Sequence, residues 1–133
     1  MGFFKKKQVS SFDILLLRES GMRFTREYEI KNEGGSCVIT LYDIYYEKNE
    51  TARRVLKTAR CDEGAVIELL NGCDILKWNG FRGAHPKNVH DGIMFTFTAA
   101  VNGGEKTEAS GSENFPENYR KFKEGLIGFL AAE

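Results

Sequence analysis

Two runs near the C-terminus constrain this 133-residue chain more than anything else in it: Asp91-Gly92-Ile93-Met94-Phe95-Thr96-Phe97, and Ala109-Ser110-Gly111-Ser112-Glu113-Asn114-Phe115-Pro116-Glu117-Asn118-Tyr119. From the first run onward, Ile93, Phe95, Phe97, Ala99 and Val101 alternate with Met94, Thr96, Thr98 and Ala100, the period of a strand with one apolar face. Asn102-Gly103-Gly104 is a short turn. A three-residue loop with a left-handed glycine sets Phe97 opposite Ala109 and Phe95 opposite Gly111, small residues against large ones. Pro116 carries a preset φ for a first helical turn, and Tyr119, Phe122, Leu126, Phe129 and Leu130 follow at helical spacing. Strand, turn, partner strand and closing helix are specified together, which is a folding signal rather than a chemical one.

The preceding residues supply the sheet that this unit completes. Residues 12–18 form an apolar run too short for a helix, with a turn-like Glu19-Ser20-Gly21-Met22 behind it, and read as a strand. Residues 24–31 alternate Phe24, Tyr28 and Ile30, with Arg26 among them, against Thr25, Glu27, Glu29 and Lys31. Asn32-Glu33-Gly34-Gly35 turns the chain into a strand over 37–46. That strand is apolar on both sides, so either both faces are covered or a bulge shifts the register.

After a polar turn at 47–51, residues 53–59 form a fourth strand polar enough for an edge, with Val55, Lys57 and Ala59 on one side and Arg54, Leu56 and Thr58 on the other. Asp62-Glu63 then opens an amphipathic helix through Ala65, Val66, Leu69 and Leu70 that ends at Asn71-Gly72. Cys73 to Asp91 reads as a packed loop. The pattern predicts one α+β domain over residues 1–133, with 1–10 a flexible tail. Its antiparallel sheet has about six strands, arranged as a four-stranded meander, a helix, a β-hairpin and a C-terminal helix, with both helices packed on the sheet.

Nineteen basic residues balance nineteen acidic ones, and the positive stripe required by nucleic-acid binders is missing, so nucleic acid is not expected as a partner. Lys5-Lys6-Lys7 reads as a solvated tail. No window approaches the roughly 18 apolar residues of a membrane span. The N-terminus has the wrong order of charge and apolar residues for a secretory signal, and Lys6 occupies the place where a myristoylation motif wants Ser or Thr. A soluble cytoplasmic protein is expected, or an exported one where a leader has been removed. Cys37, Cys61 and Cys73 are odd in number without CxxC spacing and read as buried thiols.

The pattern Trp78-Asn79-Gly80-Phe81, Asp91-Gly92 with Phe95 and Phe97, then Ala109-Ser110-Gly111 with Phe115-Pro116-Glu117-Asn118-Tyr119 resembles a small domain of unknown function recurring in uncharacterised proteins of Firmicutes, many of them lipoprotein-like or secreted. The resemblance is loose over residues 12–130 and closer in the last third. It implies an α+β fold and carries over no catalytic or binding residues.

His85, His90 and Asp91 are the nearest approach to a catalytic or metal-ligating constellation, although their spacing matches no helical or hairpin ligand geometry. Pro86, Asn88 and Gly92 beside them belong to an ordinary turn. Cys61 and Cys73 lie in no nucleophile motif, and there is no GxSxG elbow or phosphate loop. Asp43, set among apolar strand residues, requires solvent or a cation such as Arg26 or Arg53. Trp78 with Phe81, and Tyr42 with Tyr46, are the aromatic candidates for a ligand or partner surface. The reading that follows is a non-catalytic binding module for a protein or small ligand, with no cofactor and no metal. The alternative is a small metal-dependent or acid/base enzyme, hydrolase-like, built on His85, His90 and Asp91.

Overall fold

The computed structural model describes residues 7–90 and 92–131. Its strands are β1 (Phe12–Ser20), β2 (Thr25–Asn32), β3 (Ser36–Glu47), β4 (Glu50–Asp62), β5 (Arg82–Gly83), β6 (Met94–Val101) and β7 (Glu105–Ser112). Two helices, α1 (Glu63–Gly72) and α2 (Tyr119–Ala131), and a 3-10 turn at Ile75–Trp78 complete the fold. The strands form one sheet in the order β4-β3-β2-β1-β6-β7-β5. Every pairing is antiparallel except that of β5, which runs parallel to β7. The expected sheet of about six antiparallel strands is thus a seven-stranded mixed one within an α+β fold. The added strand lies in the stretch read as a loop, because two residues carry no periodicity by which a strand is recognised.

Strand β1 is the seam between the N-terminal meander and the C-terminal hairpin. Leu15 lies opposite Ile30 on β2 and Ala99 on β6, and Leu17 lies opposite Tyr28 and Phe97. Leu15, Leu17, Ile30, Phe95 and Phe97 all lose essentially their whole surface there, each contributing about 1.5–3 kcal/mol. The hairpin register follows the turn: Phe97 faces Ala109 and Phe95 faces Gly111, as the loop length requires. At Gly111 the close packing is literal, since a Cβ would stand 2.1 Å from the Asn114 carbonyl oxygen and 2.8 Å from the Phe95 ring. Lys48 and Asn49 both take positive φ, 53° and 64°, in the two-residue β3–β4 turn, the twist that a tight hairpin selects.

The ambiguity of β3 resolves at a bulge. Leu41 pairs with Lys57 and Tyr42 with Val55, so Leu56 has no partner and the side-chain parity of β4 inverts there. Cys37, Ile39 and Leu41 face the helices, with Ala59 and Cys61 beside them on β4. Val55 consequently leaves the face of Lys57 and Ala59 and joins the row of Tyr42, a correction to unbroken alternation.

Both helices lie on the same face. Asp62 caps α1 by accepting the Ala65 N–H at 3.1 Å, and Val66 and Leu70 are buried. Tyr119, Phe122, Leu126 and Leu130 are the buried stripe of α2, which packs across β3 and β4. The helix starts at Tyr119, later than Pro116, because Asn118 at φ 70° interrupts the turn that Pro116 opens. Trp78 from the 3-10 turn closes the core at 5.2 Å from Phe97 and 5.4 Å from Phe122, both edge-on.

Candidate functional site

His85 directs its ring inward to its own loop: Nδ1 is 2.7 Å from Ser112 Oγ, and Nε2 contacts the Val89 carbonyl oxygen. Nδ1 thereby ties the 84–90 segment to the end of β7, and Nε2 closes that segment on itself. His90 is exposed, and Asp91 lies outside the described residues. Among the described residues no group of three or more His, Cys, Asp or Glu side chains converges to hold a metal ion.

The aromatic candidates fall into two separate places. Trp78 is 2% exposed and donates its indole N–H to the Glu117 carbonyl at 2.9 Å. Together with half-buried Phe81 and Phe115 and buried Pro116 it lines a cleft of about 220 Å³. Tyr42 lies on the opposite, helix-free face, and Tyr46 stands 81% exposed near the end of β3. The fold does not bring the four together.

Around Tyr42 the helix-free face carries a continuous chain of charge. Glu27 and Glu29 are buried, 6% exposed each, although no helix covers them. Arg18 binds Glu27 Oε2 through Nε at 3.0 Å and Nη2 at 2.8 Å, and Arg53 reaches Oε1 at 3.3 Å. Glu29 meets Arg53 at 3.7 Å and Lys31 at 3.8 Å, and accepts the Tyr42 hydroxyl at 3.4 Å. Arg53 also lies 4.2 Å over the Tyr42 ring. Buried carboxylates require such partners, and these cross-strand cations seal the face in place of a second layer. On the helix side Asp43 meets Arg26 at 2.5 Å, as expected, and Arg54 at 2.7 Å, whereas Arg53 turns to Glu27.

A third buried carboxylate, Glu19, escaped the sequence reading. Glu19, placed there in a turn, is a β1 residue in the same row as Leu15 and Leu17, and it is 3% exposed. Tyr119 donates its hydroxyl to Glu19 Oε2, and Lys123 Nζ is 2.7 Å from Oε1. Burial first, and the Glu19 hydrogen bond second, hold the Tyr119 hydroxyl far above the usual phenol range. Burial likewise raises the hydroxyl of Tyr28, against the opposing pull of Lys123. Both phenols stay protonated at neutral pH, and the Tyr119 and Lys123 contacts to Glu19 fasten α2 to β1. Every buried side-chain nitrogen or oxygen among the described residues has a hydrogen-bond partner.

What remains unpartnered is backbone. The outer edge of β7 is covered by the preceding segment: Gly80 N donates to Glu108 O at 2.8 Å, Ser110 N to Phe81 O at 3.0 Å, and Glu108 N to the Asn79 side chain at 2.9 Å. Among the described residues nothing comparable covers β4, a 13-residue strand at the other end of the sheet. Val55 and Leu56 stand 55% and 43% exposed on it, and Arg53, Arg54, Lys57 and Arg60 occupy it without an intervening acid. Sequence polarity marked this strand as an edge; its length and its exposed apolar pair emerge only from the register. Comparison with protein families, curated proteins and solved structures finds no match to this chain.

Proposed function

We propose that the protein is a non-catalytic interaction module that docks an extended, acidic segment of a partner protein along β4 as an additional strand. The observation that carries this reading is the asymmetry of the sheet edges: β7 is covered by residues 79–83, while among the described residues none covers the 13 residues of β4. An open edge offers a row of backbone donors and acceptors to an incoming strand, with side-chain pockets setting the preference. Arg53, Arg54 and Arg60 are already paired, with Glu27 and Glu29, Asp43 and Glu33 respectively. The preference for carboxylates therefore rests on Lys57 and on the 64% and 67% exposed side chains of Arg54 and Arg60, while exposed Val55 and Leu56 favour apolar residues between them. The helix-free face is less suitable, because Arg18, Arg53 and Tyr42 already close over its carboxylates.

A labelled peptide alternating Glu with Val and Thr, titrated by fluorescence anisotropy, tests the reading. Saturable binding that weakens with salt, and a Kd raised about tenfold in the double variant Lys57→Glu/Arg60→Glu, are expected. Binding indifferent to both charge reversals, or none at millimolar peptide, would sink it.

A further inference from the structure

Cys37 on β3 and Cys61 on β4 are direct cross-strand partners. Directly opposed residues of an antiparallel pair have Cα atoms about 4.5–5.5 Å apart, inside the roughly 4.4–6.8 Å that a disulfide spans. Both side chains leave their strands on the helix-bearing face at directly paired positions, Cys37 within the core and Cys61 packed against it. Cys37 is wholly buried and Cys61 is half-buried, which gives the pair one sulfur that a small reagent reaches and one that it does not. Cys73, at the end of α1, is buried and faces no cysteine across a strand.

We propose that Cys37 and Cys61 form a cross-strand dithiol that a low-molecular-weight disulfide oxidises to an intramolecular disulfide. The Cys61 thiolate attacks one sulfur of the oxidant, whose S–S bond breaks and releases one thiolate. Cys37 then gives up its proton and attacks the Cys61 sulfur, forming the protein disulfide and expelling the second thiolate. The protein loses two electrons and two protons, and the oxidant becomes two thiols. Closure ties the edge strand to β3 one residue before Asp62, the cap of α1, so it stiffens the open edge and the helix start together. The pair stands independently of whatever docks on β4.

Burial, with each other's charge and the carboxylates of Asp62 and Glu63 adding to it, pushes the Cys37 thiol up to about 11, and burial raises Cys61 as well. Closure is therefore slow at neutral pH and accelerates as pH rises above about 8.

The test uses the intact protein with excess oxidised glutathione at pH 8.5, followed by thiol counting in denaturant and non-reducing peptide mass analysis. The reduced chain has three thiols. Expected are a fall to one, residing on Cys73, a peptide linking residues 37 and 61, and a melting midpoint raised by roughly 5–10 °C and restored by dithiothreitol. Cys61→Ser is expected to abolish the link, with Cys37 remaining unmodified. A stable glutathione adduct on Cys61 with Cys37 still free, a link through Cys73, or three surviving thiols would each overturn the proposal.

Discussion

Replacing Tyr119 by Phe isolates the buried contact that fastens the C-terminal helix to the sheet. The ring is held 4.9 Å from Phe95 and 4.7 Å from Phe115, and Phe preserves those contacts. Only the hydroxyl is lost, and with it a donor to Glu19, which then retains Lys123 on one oxygen and nothing on the other. Hydrogen bonds to buried charged groups are worth about 1.5–3 kcal/mol, so a loss near 2 kcal/mol is expected at pH 7, roughly 6–10 °C in melting midpoint. Urea unfolding followed by circular dichroism measures it, with an unchanged m-value showing that compactness is preserved.

Two controls sharpen this prediction. In a Glu19→Gln background the same substitution should cost about 1 kcal/mol less, because the acceptor is no longer charged. The wild type should also lose stability as pH rises past about 10, since the unfolded tyrosine releases its proton there while the folded one, its pKa raised, holds it. The Phe variant lacks that loss, so its deficit should shrink at high pH. A deficit below about 0.5 kcal/mol at pH 7, or one unaltered by Glu19→Gln, would refute the reasoning.

Two glycines predict opposite signs. Gly111→Ala should destabilise by about 1–3 kcal/mol, since its Cβ meets the Asn114 backbone oxygen at 2.1 Å, whereas Gly128→Ala in α2, with nothing within 4 Å, should stabilise by about 0.5–1 kcal/mol in the same assay. Asp62→Ala removes the α1 cap and should cost about 1 kcal/mol in thermal unfolding. Cys37, whose thiol is pushed from 9.0 to about 11, should make the protein less stable as pH climbs from 9 towards 11, because the unfolded thiol ionises first; Cys37→Ala should flatten that part of the pH–stability curve.

Where one interaction sets one local choice, the sequence was readable. Asn102-Gly103-Gly104 dictated the pairing of Phe97 with Ala109, Asp62 announced α1, and the spacing from Tyr119 to Leu130 drew the buried stripe of α2. The misses are places where distant residues decide. Glu19 looks like turn material until Tyr119, a hundred positions later, supplies its partner. Leu56 gives no sign of being a bulge until β3 sets the register against it, and β5 exists only because β7 is there to receive two residues. Trp78 has the composition of a binding surface and a core location, since the 3-10 turn carries it under α2. The open edge was legible as polarity alone; its reach along 13 residues depends on strand order, which no local pattern encodes.

Backbone amide exchange along β4, residue by residue, with and without the acidic peptide, tests the central claim most directly. If a strand docks there, alternate amides between Arg53 and Arg60 that exchange readily in the free protein slow by at least tenfold on saturation, and those already bonded to β3 do not. Slowing confined to the helix-free face or to the cleft beside Trp78, with the β4 amides unmoved, would contradict it.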